Sequence, residues 1–87
     1  MSSMLIGVTH TISDPEKFFA GAQELLGDLP KGLACHQVFP AVDGTHAHCL
    51  WEAPSVDEVR SLIDPATTGI AENDYFEINT ESAIGLP

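Results

Sequence analysis

The chain of 87 residues carries 13 acidic side chains against 3 basic ones, a formal net charge of −10. Lys17, Lys31 and Arg60 stand far apart, so no basic patch can track a phosphate backbone or an anionic bilayer, which excludes nucleic acid and membrane surfaces as partners. A hydrophobic content of 44% argues for one packed domain over residues 1–87, of a size that often gains stability by oligomerising.

Met4 to Ile12 reads as a strand, with Ile6, Val8 and Ile12 on one face and Leu5, Gly7, Thr9 and Thr11 on the other. Ser13-Asp-Pro-Glu16 follows as a capping box, with Ser13 as N-cap. Phe18, Phe19, Ala22, Leu25, Leu26 and Leu29 then recur at helical spacing, and the helix is expected to end between Gly27 and Pro30. Gly32 to Ala41 is the second strand, and Asp43-Gly44 is a strong hairpin signal. His46 to Ala53 is the third strand. Ser55-Val-Asp-Glu58 is a second capping box ahead of a helix striped by Val56, Val59, Leu62, Ile63 and Ala66, which Pro65 is expected to end or kink. Asp74 to Thr80 is the fourth strand, and residues 82–87 form an apolar tail beyond a core of 4–80.

Strand, helix, strand therefore occurs twice around a tight central hairpin. This is the split βαβ pattern of an α+β, ferredoxin-like sandwich. It predicts a four-stranded antiparallel sheet of order 4-1-3-2 with two helices on one face and the other face open.

A two-residue turn at Asp43-Gly44 would make opposed hairpin positions sum to 87. Phe39 then opposes His48, Gln37 opposes Leu50 and Cys35 opposes Glu52 on one face. Val38 opposes Cys49 and His36 opposes Trp51 on the other. The second set, with Ile6, Val8, Phe76 and Ile78, suits a helix layer. The open face then holds Thr9, Gln37, Phe39, His46, His48, Leu50, Glu52, Tyr75, Glu77 and Asn79. Such a mixed face suits a sheet that packs on a second copy of itself and encloses a cavity, with the tail wrapping onto the partner.

That cavity defines the candidate site. Thr9, Gln37, Phe39, His48, Leu50, Tyr75 and Glu77 are its expected ligand-binding residues. His48, Glu77 and Tyr75 are the catalytic candidates, because an imidazole beside a carboxylate can transfer a proton while Tyr75 and Gln37 orient a polarised oxygen. His46 and His48 form an H-x-H pair on one strand face and could reach one divalent metal such as nickel or zinc, with His10 as a third ligand. Cys35 and Cys49 are offset by about three residues, roughly 10 Å along the strands, too far for a disulfide. No basic helper stands near either, so both read as structural. Two cysteines without a leader-like N-terminus fit a reducing, cytoplasmic compartment. Phosphate-loop, dinucleotide and serine-hydrolase motifs are absent.

Cys49-Leu-Trp-Glu-Ala-Pro-Ser55, the following helix, and Tyr75-Phe-Glu-Ile78 resemble small bacterial ferredoxin-like proteins, one branch of which is described as nickel-binding. The wider resemblance is to the dimeric α+β barrel superfamily, with its monooxygenases and small cyclases. It implies a homodimer that binds a small ligand or metal ion on the open sheet face. The alternatives are a cofactor-independent monooxygenase or cyclase acting on a small aromatic or polyketide-like substrate, and a structural or regulatory module.

Overall fold

The computed structural model describes residues 3–87; Met1 and Ser2, the start of the expected domain span, lie outside the described residues. The elements are β1 (Met4–Ile12), α1 (Pro15–Leu26), β2 (Ala34–Pro40), β3 (His46–Ala53), α2 (Val56–Ala66) and β4 (Ala71–Glu77). The sheet order is β2-β3-β1-β4, antiparallel throughout. This is the βαββαβ sandwich that the sequence pattern predicts.

Local chemistry explains most of the boundaries. Asp14, not Ser13, caps α1: its carboxylate accepts from the Lys17 backbone N–H at 3.2 Å. Pro15 opens the helix, and a proline at the first helical position makes the residue before it the cap. Ser13 instead donates its hydroxyl to the Ile70 carbonyl at 2.9 Å, which ties α1 to the start of β4. Ser55 caps α2 as expected, accepting from Glu58 N at 3.2 Å. Pro65 lies inside α2, one residue from its end. There its missing N–H interrupts only the final turn, and Thr67 closes the helix with hydrogen bonds back to Ile63 and Asp64. No helix among the described residues is long and apolar enough to cross a membrane.

The hairpin keeps the expected register but not the expected turn. A turn over Ala41 to Gly44 closes it, with Gly44 at φ 78°, a conformation that favours glycine. Asp43 secures the loop by accepting from the Thr45 N–H and hydroxyl. Phe39 opposes His48 and Gln37 opposes Leu50, as predicted. A bulge at His36 then shifts the ladder by one, so that Cys35 opposes Trp51 and Ala34 opposes Glu52. The expected Cys35–Glu52 and His36–Trp51 pairs do not form. One extra residue transfers every side chain beyond it to the opposite face, so Cys35 joins the helix side.

Strand β4 departs from expectation in the same way. It starts at Ala71, three residues early, and its register sets Tyr75 opposite Val8, Glu77 opposite Ile6 and Phe76 opposite Gly7. Tyr75 and Glu77 therefore fall on the helix side and Phe76 on the open side, the reverse of the predicted assignment. Gly7 is the reason: a Cβ there would sit 2.3 Å from Phe76 Cζ. The glycine leaves the space that the Phe76 ring occupies.

The core lies between the sheet and α2. Ile6, Val8, Trp51, Ala53, Val59 and Ile63 form one buried cluster, and Ile12, Phe18 and Ala47 a second under the start of α1. Helix α2 packs closely on β3 and β4, while α1 stands further off the sheet. That difference leaves an apolar cavity beneath α1.

Candidate functional site

The strand registers arrange the open face into cross-sheet rows. One row reads Gln37–Leu50–Gly7–Phe76 and the next Phe39–His48–Thr9–Asp74. The C-terminal tail folds back over its own sheet, and Ile84, Gly85 and Leu86 complete a groove of about 230 Å³ with Thr9, Gln37, Phe39, His48, Leu50 and Phe76. Leu50 is only 6% exposed although it lies on this face.

Five of the expected ligand-binding residues thus meet: Thr9, Gln37, Phe39, His48 and Leu50. Tyr75 and Glu77 do not join them. Tyr75 donates to Asp64 Oδ1 at 2.5 Å, and Arg60 lies over its ring. Burial and the Asp64 carboxylate push its phenol pKa up. Glu52 is engaged elsewhere, held by Ser3 and His36 at 2.6 and 2.8 Å, contacts that lower its pKa. The expected pairing of His48 with Glu77, oriented by Tyr75, is therefore not assembled, and Glu52 does not take Glu77's place. Asp74 stands in the row of His48, a neighbour that a β4 with Tyr75 on the open side would not bring there.

The metal candidates separate as well. His46 and His48 share the open face. His10 opposes Ala47 between them and points to the helix side. Among the described residues, no group of three or more His, Cys, Asp or Glu side chains is gathered for a metal ion.

The helix side holds a polar chain that sequence reasoning did not find. His10 is 4% exposed. Its Nδ1 lies 2.6 Å from Asn73 Oδ1 and its Nε2 3.4 Å from Cys49 Sγ. Asn73 spends its amide N–H groups on Thr67 Oγ1 at 2.8 Å and Asp64 Oδ1 at 3.1 Å, so its oxygen accepts from His10. This network assigns the His10 proton to Nδ1 and leaves Nε2 as an acceptor facing the Cys49 thiol. The same two contacts, from Tyr75 and Asn73, hold the Asp64 carboxyl below its ordinary value.

Cys49, Cys35, His10 and Trp51 all line the cavity beneath α1, about 50 Å³ in volume and apolar elsewhere except at Thr67. Trp51 is 2% exposed, and its indole Nε1–H finds no hydrogen-bond acceptor among the described residues. The Cys49 sulfur is near enough for that N–H to favour its thiolate slightly, but not in bonding geometry. An orphaned buried donor in a cavity is a place for an acceptor atom from outside the chain. The neighbouring Cys49 holds the Cys35 thiol below its usual range, while Cys35 and burial push the Cys49 thiol up.

Burial also lowers the His10 pKa from 6.5, against the opposing pull of the Asn73 hydrogen bond. The unfolded chain then binds a proton that the folded chain refuses, so stability falls as pH drops below about 6.5. Urea unfolding at pH 7.5 and 5.5 is expected to show this loss, and His10→Gln is expected to flatten it. An imidazole that titrates above 6.5 by NMR would contradict the assignment.

No family model matches the chain, and searches of curated proteins and of solved structures return no similar protein.

Proposed function

We propose that the protein binds a small, neutral, single-ring ligand in the groove on the open sheet face and acts as a homodimer through that face. The observation that carries this reading is the groove itself. It gathers apolar walls from Phe39, Leu50, Phe76 and the tail around three polar groups, Thr9, Gln37 and His48. Few convergent polar groups in an apolar hollow are the usual composition of a ligand site. Its volume of about 230 Å³ exceeds the roughly 150 Å³ that accommodates benzene in a protein interior. The wider resemblance to the dimeric α+β barrel superfamily agrees with the dimer. A cofactor-independent oxygenase or cyclase is a secondary reading, with His48 as the one imidazole or carboxylate base among the described residues that line the groove.

The test is heteronuclear NMR with a series of single-ring phenols and hydroxyketones. Shift changes are expected at Gly7, Thr9, Gln37, His48 and Leu50. His48→Ala is expected to weaken binding about tenfold, the value of one hydrogen bond to the ligand, without changing the unfolding midpoint, since His48 is exposed. Shifts confined to the cavity beneath α1, or unaltered affinity in His48→Ala, would remove the groove from consideration.

A further inference from the structure

We propose that Cys35 and Cys49 form a separate reactive site on the opposite side of the sheet, a dithiol that a small hydroperoxide oxidises to an intramolecular disulfide while His10 relays the proton of Cys49. The bulge at His36 makes this possible. It reduces the offset between the two cysteines from three residues to two and turns Cys35 to the helix side, where Cys49 already faces. Both are free, partly buried and on the wall of one cavity.

Diagonal cross-strand positions lie roughly 7–8 Å apart at Cα, slightly beyond the roughly 4.4–6.8 Å usual for a disulfide. Closing the bond therefore draws β2 inward. Strand β2 is an edge strand that pairs with β3 alone, and its ladder is already interrupted between the two cysteines. The movement required falls where the sheet resists least.

The surrounding groups suit two-step thiol oxidation. The Cys35 thiolate attacks one oxygen of the hydroperoxide. The O–O bond breaks, the other oxygen leaves as the alcohol after taking a proton, and the Cys35 sulfur keeps an –OH. Cys49 then attacks the Cys35 sulfur while its proton passes to His10 Nε2, which stands 3.4 Å from the sulfur, so neither a free Cys49 thiolate nor a lasting buried imidazolium has to form. The S–S bond forms, the S–O bond breaks, and the oxygen leaves as water with the proton returned by His10. Two thiols and one hydroperoxide give one disulfide, one alcohol and one water; the sulfurs lose two electrons and the O–O bond takes them. For hydrogen peroxide the alcohol is a second water.

The Asn73 oxygen holds His10 in the tautomer this step needs. The oxygen placed on Cys35 would give the Trp51 N–H the acceptor that it lacks. A cavity of about 50 Å³ has room for a few water-sized groups, each needing roughly 10–15 Å³. This fits hydrogen peroxide and excludes bulky lipid peroxides.

Reduced protein treated with hydrogen peroxide, quenched and unfolded for thiol counting and intact-mass measurement tests the proposal. The wild type is expected to lose both thiols together, to lose the mass of two hydrogens, to stay a single chain without reductant, and to recover with dithiothreitol. Cys49→Ser is expected to gain one oxygen on Cys35 that dimedone traps. Cys35→Ser is expected to keep its remaining thiol through the same exposure. His10→Gln is expected to accumulate the sulfenic form, with closure slowed about a hundredfold. Independent oxygen adducts on both cysteines of the wild type, disulfide-linked pairs of chains, or Cys49 reacting as fast without Cys35 would each overturn it. None of these outcomes depends on ligand binding at the open face.

Discussion

Trp51→Ala is expected to lower the free energy of unfolding by about 3–5 kcal/mol, the usual result of emptying a buried aromatic site. Trp51 is 2% exposed and packs in the cluster of Ile6, Val8, Ala53, Val59 and Ile63 that joins the sheet to α2. It also walls the cavity beneath α1. Truncation would merge the vacated volume with that cavity, so the surroundings cannot close over it cheaply. A domain of this length has only about 5–15 kcal/mol of stability in total, so the variant is expected to unfold at a much lower urea midpoint than wild type. Trp51→Phe separates shape from hydrogen bonding. It keeps a ring but removes the indole N–H, whose unpaired burial costs about 1–3 kcal/mol. The two effects oppose each other, and the variant is expected to stay within about 1 kcal/mol of wild type. Urea unfolding of both variants decides the matter. A Trp51→Ala loss below about 1 kcal/mol would mean that the indole is not the centre of this core.

Residues with strong local chemistry made the fold legible in the sequence. β1 and β3 are apolar and β-branched enough to mark their own limits, and Asp43-Gly44 fixed the parity of the hairpin even though the turn is longer than two residues. The errors arose where one residue decides a face. Nothing in the composition of Ala34 to Pro40 marks His36 as a bulge, yet the bulge moves Cys35 across the sheet. Ala71 to Glu77 has too little contrast between its alternate positions to reveal which side is inward. The available signal lay in another strand: Gly7, in the middle of β1, marks the place where a large side chain must cross. These two errors hid the same thing. With Cys35 on the wrong face and β4 inverted, the alignment of Cys35, Cys49, His10 and Asn73 along one cavity could not be seen, and Tyr75 and Glu77 entered the open-face site in error.

Phe39→Asp and Phe76→Asp are each expected to turn a dimeric protein into a monomer at micromolar concentration. Both rings are left largely in solvent on the open face, at 60% and 53% exposure, next to Ile84 of the tail at 99%. Phe39 and Phe76 stand on the two edge strands β2 and β4, on either side of the groove, with the Phe76 ring reaching inward over Gly7. An aromatic anchor buried in such a contact is commonly worth about 2 kcal/mol or more. In a twofold interface each substitution occurs twice, which makes about 4 kcal/mol, or roughly a thousandfold in the dissociation constant. The buried aspartates add a desolvation cost of the same sign. Two copies, each with a net charge of −10, repel one another, and Glu72 and Asp74 lie toward the open side of β4. Raising the ionic strength to about 0.15 M shortens the reach of that repulsion to about 8 Å, so salt should tighten the wild-type dimer. Sedimentation velocity across salt and protein concentration provides the measurement. A wild type that sediments as a monomer throughout would defeat the dimer. A dimer untouched by Phe39→Asp would place the interface on another face.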